Sequence, residues 1–301
     1  YDLCINHFKN AYGQINWPIT FINTDTCTDN TLTGIQIYAV SFVSVNTIFI
    51  DNKPAARIFE DDFAKYCIIG NIFTLQEEQT WDILINFEKI LNLVDMEISD
   101  IVRTWFYNHN IISWYSDFNS IRNNFFKQKG IINKILPVST GVGGNNSVNA
   151  AAIASAIAIK AKKNNCVIIK ELSSPLQNHP SIYGSLFSRA LEIIMPDHRK
   201  ILISGTASID KNGKTIHVNN IDMQIAFTMD VIKAILTSRN MNFSFVTRAI
   251  VYFKYSKDIS AFNKYCKLEK IPVFPLIAIQ NDICRDNLLF EIEVDAINKK
   301  I

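Results

Sequence analysis

The sequence predicts an α/β (α+β) protein made of one unit written twice, each copy a mixed β-sheet packed on one face by helices. Three observations carry this. Residues 79–107 recur at 224–252 with a constant offset of 145 positions, matching Gln79 to Gln224, Leu91 to Leu236, Met96 to Met241, Arg103 to Arg248 and Tyr107 to Tyr252. Upstream of each stretch lies a similar strand with a glycine, Ile68-Ile69-Gly70-Asn71-Ile72 in one and Ile203-Ser204-Gly205-Thr206-Ala207 in the other. Between the copies, residues 136–144 are rich in turn formers.

Each copy has the same order of elements: strand, hairpin, helix, strand. The second copy has the longer hairpin, with Lys211-Asn212-Gly213-Lys214 as its turn. In the first helix Trp81, Leu84, Ile85, Glu88, Leu91 and Leu93 follow a roughly helical stripe, and in the second Ile225, Met229, Ile232, Ile235 and Leu236 do so. A short polar link then leads to a strand ending in Tyr107 or Tyr252. The repeated order predicts two sheets, each covered by helices on one face. The linker, with Pro137, Ser139-Thr140-Gly141 and Gly143-Gly144-Asn145-Asn146, divides a degenerate N-terminal domain, 1–140, from a C-terminal domain, 141–301. Residues 150–160 fit either a short helix or a buried strand, since both faces are apolar.

Composition narrows the function classes. The 301 residues are 48% hydrophobic and 19% charged, which is enough for one large core or two smaller ones. A net charge of +2 with no polybasic run argues against nucleic acid as a partner. The most apolar stretch, 150–159, is far short of the roughly 20 residues that span a bilayer, so no membrane association is expected. No secretory pattern opens the sequence, and a start at Tyr1 leaves room for a trimmed leader. Cys4, Cys27, Cys67, Cys166, Cys266 and Cys284 are scattered, as free thiols in a reducing, cytoplasmic compartment would be. His7, His109, His179, His198 and His217 lack ligand spacing, so no zinc site is expected.

Four segments are candidates for chemistry. Residues 288–294 form a strand whose alternation puts Leu288, Phe290, Ile292 and Val294 on one face and Leu289, Glu291 and Glu293 on the other. If Glu291 is buried among these apolar neighbours its pKa rises and it can serve as a general acid; on an amphipathic strand facing water it is only a surface carboxylate. Ser173-Ser174-Pro175-Leu176-Gln177, Tyr183-Gly184 and Phe187-Ser188-Arg189-Ala190 form the second cluster, where Arg189 suits either a substrate carboxylate or a structural ion pair. Ser139-Thr140-Gly141-Val142-Gly143-Gly144 has neither a Walker loop's Lys-Ser/Thr nor a dinucleotide fingerprint; its amides suit a carboxylate or a plain turn. Trp105, Tyr107, Trp114-Tyr115, Phe118-Asn119 and Arg122 suit a cleft for a planar ring or ordinary core.

At these residues the sequence resembles a known family. Ser204-Gly205-Thr206-Ala207-Ser208, Asp222-Met223-Gln224 and Glu291-Ile292-Glu293 resemble the YjgF/RidA fold. Together with Tyr183-Gly184, Phe187-Ser188-Arg189-Ala190 and Cys284-Arg285 followed by Leu288-Leu289, they are similar to the chorismatases, chorismate-cleaving enzymes of secondary metabolism. The resemblance is best over 174–296 and looser in the first half. It implies two tandem YjgF/RidA-like domains. It also implies a cofactor-free hydrolase or lyase that releases pyruvate from the enolpyruvyl ether of chorismate, leaving a diol acid or a hydroxybenzoate. Glu291 then matches the acid–base residue, Tyr183 and Arg189 the holders of a substrate carboxylate, and Cys284 and Ala207 the pocket positions that tune the product. Gln177 and Arg122 complete the candidate substrate-binding set. Leu176 stands where the family often has a second Arg, which leaves Arg122, Arg103, Arg248 or Lys254 to meet a second carboxylate. The alternatives are a RidA-like imine deaminase, whose carboxylate-binding Arg would fall near Leu276, and a non-catalytic trimer that binds small acids. By the same analogy the chain is expected to form a homotrimer. The first copy lacks a Glu-Ile-Glu strand, so one site per chain is expected, in the second half.

Overall fold

The structure, a computed structural model, describes residues 2–24, 33–163 and 166–299. Cys27 lies outside the described residues; the other five cysteines are free thiols. Helix α1 (Asp2–Tyr12) and strand β1 (Ile22–Asn23) precede the first sheet. That sheet is built from β2 (Val45–Ile50), β3 (Lys53–Glu60), β4 (Ala64–Thr74), β5 (Ile101–Asn108), β6 (Val138–Gly143) and β8 (Ala152–Ala161). Its order is β2-β3-β4-β8-β5-β6. Helices α2 (Thr80–Asn92) and α3 (Ile111–Gln128) cover it, and short β7 (Asn145–Asn146) pairs with β1. The second sheet repeats the plan with β9 (Ile168–Leu172), β10 (Ala190–Ile194), β11 (His198–Ala207), β12 (Val246–Phe253), β13 (Leu276–Gln280) and β14 (Phe290–Lys299). Its order, β9-β10-β11-β14-β12-β13, matches the first position for position, and α4 (Ile221–Thr237) and α5 (Ile259–Leu268) cover it. In both sheets the single parallel pair is at the end, β5–β6 and β12–β13.

The duplication extends to the irregularities. A β-bulge breaks the β4–β8 register between Ile69 and Ile72, and its counterpart breaks β11–β14 between Ile203 and Thr206. A second bulge falls between Ile101 and Arg103, and again between Val246 and Arg248. Bulges re-aim side chains and are costly to move, so their recurrence is stronger evidence of common architecture than the sequence identities. The first bulge also corrects the alignment by one residue: Gly70 is structurally equivalent to Ser204, and Asn71 to Gly205.

Two sequence expectations change. Residues 136–144 are not a linker. Their core is β6, which pairs in parallel with β5. Gly143 is there for close approach: a Cβ would sit 2.7 Å from the Asp282 side chain, and its N–H donates to Asp282 O at 2.7 Å. Residues 152–161 are strand β8, at the centre of the first sheet. The chain therefore leaves the first sheet after Ala161 and starts the second at Ile168, not at 140/141.

The helices lie outside and the bare faces of the two sheets meet. Tyr66, Val102, Trp105 and Ile157 of the first pack with Leu191, Ile193 and Leu202 of the second. This interface also buries charge. Arg103 and Arg248 meet Glu293 and Asp295 there, and both guanidiniums lie over the Trp105 ring, at 5.2 and 5.3 Å from its centroid. Burial alone would raise the Asp295 carboxyl, but Arg103, Arg248 and Lys200 outweigh it and hold the group well below the usual range.

Candidate active site

The end of β14 settles which face Glu291 occupies. Phe290, Ile292 and Val294 enter the core beneath α4 and α5. Glu291, Glu293 and Asp295 point the other way, into the seam between the sheets, and all three are buried. Glu291 lies opposite Ala207 on β11 and Tyr252 on β12. The Ser204-Gly205 bulge brings backbone against its carboxyl: a Cβ on Gly205 would overlap Glu291 Oε1. The solvated-carboxylate alternative is thereby excluded, as Glu291 is 4% exposed. Burial, then the charge of Glu293, push its pKa up to about 8 against the opposing pull of Arg189. At neutral pH the group carries its proton.

Three further elements converge on this carboxyl. Arg189, just before β10, has its carbonyl bonded to the Ser204 N–H at the bulge. Its Nη2 donates to Tyr183 Oη at 2.6 Å and its Nε to Asn178 O at 3.1 Å. Cys284, in the segment before β14, packs with Ala207, and burial followed by the neighbouring Glu291 push its thiol up to about 12. From the first domain, α3 presents Tyr115, Asn119 and Arg122 on one face. Arg122 Nη2 donates to Asn119 Oδ1 at 2.7 Å and Nη1 to Ser139 Oγ at 3.3 Å, while its buried Nε has no partner. Tyr115 acts on both Arg122 and Cys284, and burial, then Cys284, raise its own pKa.

The two arginines share an environment. The Arg122 and Arg189 guanidinium carbons each lie 5.7 Å from the centre of the Phe187 ring. Both side chains are 3% exposed, and among the described residues neither forms an ion pair with a carboxylate. Burial pushes the pKa of both down. This contrasts with Arg103 and Arg248 in the same seam, which have two carboxylates between them. A buried cation without a counter-ion is costly unless a ligand supplies the anion.

Sequence-predicted residues therefore gather around one point. Glu291, Arg189, Ala207 and Arg122 are buried and Tyr183 and Cys284 half-buried in one cluster. Gln177 plays a different part: its Nε2 donates to Ala207 O at 2.9 Å and Ile209 O at 2.8 Å, pinning the end of β11, while its Oε1 is buried without a partner. Arg103 and Arg248 are consumed by the ion network, and Lys254 by Asp286 at 2.6 Å. Of the four candidates for a second cation, the structure leaves Arg122. Tyr115 and Thr140, from the aromatic and glycine-rich candidate segments, and Gly205 and Arg285, from the family motifs, join the site without an individual role read from the sequence. For Tyr115, the 115–119–122 helical spacing that puts it beside Arg122 was the available signal. Arg285 lies 5.5 Å from the Tyr183 ring centre and donates to Gly213 O at 2.6 Å. It also lines a surface cavity of about 580 Å³ with Gly213, Lys214, Thr215, Asp286 and Asn287. A second cavity, about 540 Å³, lies along α4 by Pro175 and Asp230, away from Glu291. Among the described residues no group of three or more His, Cys, Asp or Glu side chains could hold a metal.

In the first copy the counterpart of Glu291 is Ile153, which lies opposite Tyr107 as Glu291 lies opposite Tyr252. Thr20 occupies the matching bulge, accepting from Asn71 N at 2.8 Å and bonding Ser155 at 2.7 Å. The acid is thus single among the described residues.

Fold and site define a tandem α+β protein whose two like sheets enclose, among the described residues, one buried acid-bearing site. No family model matches the chain. It is 24% identical over 215 residues to a chorismatase from Streptomyces rapamycinicus, covering 64% of this chain and 63% of that protein. It is 23% identical over 195 residues to a 3-hydroxybenzoate synthase from Streptomyces hygroscopicus, covering 60% and 56%. The chain thus spans less than two thirds of the length of these curated relatives. A chorismatase crystal structure matches the fold with a TM-score of 0.64 at 19% identity, over 80% of this chain and 77% of that one. These matches make the chain similar to the chorismatases in sequence and in fold.

Proposed function

We propose that this chain releases pyruvate from chorismate or a related cyclic enolpyruvyl acid, with Glu291 as proton donor. The observation that carries the reading is a buried carboxyl held neutral, with the buried Arg189 guanidinium acting on it and a second, Arg122, sharing the Phe187 ring with Arg189, neither paired with a carboxylate among the described residues. A substrate with two carboxylates and an acid-labile ether answers both halves of that description. Arg189 with Tyr183 holds one carboxylate and Arg122 the other, each gaining charge-assisted hydrogen bonds in a low-dielectric site.

The chemistry follows from the protonation state. Glu291 delivers its proton to the methylene carbon of the enol ether, and the double bond becomes an oxocarbenium ion stabilised by the ether oxygen. Water adds to that carbon and returns a proton to the Glu291 carboxylate. The resulting hemiketal loses the ring alcohol and leaves pyruvate. If the neighbouring ring hydroxyl adds to that carbon instead of water, loss of a ring proton with cleavage of that hydroxyl's own ring C–O bond makes the ring aromatic, and collapse of the remaining hemiketal leaves pyruvate and a hydroxybenzoate, the product class named for one relative. A donor with a pKa near working pH and an absence of bulk water favour such a transfer. Cys284 and Ala207, neutral and small beside Glu291, are suited to bias which nucleophile reaches the cation.

Purified protein incubated with chorismate, with pyruvate measured by a coupled enzyme, tests this reading. Release that disappears in Glu291→Gln supports it. No release at high enzyme concentration, or equal release by the variant, overturns it.

A further inference from the structure

The residue beside the acid has a role of its own. Glu293 is fully buried two positions along β14, on the same face as Glu291. Every contact that fixes it comes from elsewhere in the seam. Trp105 Nε1, from the first domain, donates to both its oxygens at 2.8 and 2.9 Å. Thr140 Oγ1, also from the first domain, donates to Oε2. Arg248 Nη1 donates to Oε1 at 2.6 Å, and Arg103 Nη1 stands 3.6 Å from Oε2. The same Thr140 hydroxyl accepts from the Gly205 N–H at 3.1 Å, and Gly205 is the backbone that packs on the Glu291 carboxyl. One threonine of the first domain therefore fixes both neighbours of the acid in the second.

We propose that Glu293 is a positioning residue for Glu291, clamped from the first domain by Trp105 and Thr140 so that its charge and the Gly205 backbone act on the Glu291 carboxyl and aim it into the site. This rests on the reading of Glu291 as the acid. The clamp gives the first domain, which has Ile153 where the acid would be, a part in the chemistry. It is also directional. Glu293 accepts from Trp105, Thr140 and Arg248, whereas Arg189, the cation that acts on Glu291, also donates to Tyr183. The charged and titratable groups that bear on Glu291 are Glu293 on its own strand, Arg189 before β10 and Cys284 before β14; Tyr115 and Arg122 on α3 and Tyr183 stand behind these.

The test does not need turnover. The carboxyl C=O stretch of Glu291 is followed by infrared difference titration, and assigned by its absence in Glu291→Gln. In Glu293→Gln the Glu291 midpoint is expected to move down by about one pH unit or more, as a like charge at close range is removed. In Glu293→Asp, which keeps the charge, it should stay near the wild-type value. If Glu293→Gln does not fold, the double variant Glu293→Gln/Arg248→Gln removes the ion pair as a unit and is read in the same way. An unchanged midpoint in whichever variant folds overturns the proposal, even if the enzyme releases pyruvate. A downward shift supports it, even if chorismate proves not to be the substrate.

Discussion

Arg103 and Arg248, which occupy the same position in the two copies, converge on one carboxylate, Asp295. Arg103 Nη2 bonds its Oδ1, and Arg248 Nε its Oδ2 at 3.0 Å. Duplication placed two like charges face to face when the sheets met, and Asp295 with Glu293 makes that contact tolerable. Asp295→Asn leaves two buried guanidiniums with one carboxylate between them, and is expected to cost about 3–5 kcal/mol in denaturant unfolding. Its pH signature follows from the depressed carboxyl: the stabilisation is present above the unfolded range near about 4 and is lost as pH falls below it. Wild type should therefore lose stability on acidification faster than the variant.

Glu291 has the opposite sign. Its folded pKa, about 8, lies above the unfolded value of about 4.3. Its contribution is fully present below the unfolded value and is lost as pH rises through the folded one. Glu291→Gln removes that loss, so the variant should be more stable than wild type at pH 8 by an amount on the order of 5 kcal/mol, and equal to it near pH 4. Unfolding at the two pH values decides this, independently of any activity.

The unpaired arginines make a similar trade of stability against binding. Arg122→Met replaces an uncompensated buried cation with an apolar side chain of similar reach. It is expected to raise the unfolding midpoint while raising KM for a dicarboxylate substrate at least about tenfold, the equivalent of 1.4 kcal/mol. Arg189→Lys keeps the charge but loses the fork that holds Tyr183 and Asn178, and should also raise KM. A thermal melt and a substrate titration measure both.

Gly205 is a packing requirement of the site. The added methyl of Gly205→Ala meets the Glu291 carboxyl and lies 3.2 Å from the Thr140 methyl. A fall in kcat of at least about a hundredfold, with far-ultraviolet circular dichroism unchanged, is the expected result; a misplacement of about 1 Å has that scale of cost.

Much of this was legible in the sequence. The repeat and the face on which Glu291 stands follow from offset and alternation, because strand periodicity is strict and the core-facing partners Phe290, Ile292 and Val294 are unambiguous. Strand β6 was not legible. It runs through the seam where side chains have little room, so Ser139, Thr140, Gly141 and Gly143 took the composition of a turn. Residues 152–161 were undecidable because β8 is covered on both faces, which erases alternation. The role of Arg122 depends on which carboxylates the other arginines consume, and that is a property of the folded seam alone.

Glu291 as the proton donor for an enolpyruvyl ether is tested most directly by turnover of chorismate in deuterium oxide, with the methyl group of the released pyruvate examined by mass spectrometry. Pyruvate with a single deuterium in its methyl group, formed by wild type and absent with Glu291→Gln, is the expected result. Undeuterated pyruvate, or equal formation by the variant, would contradict it.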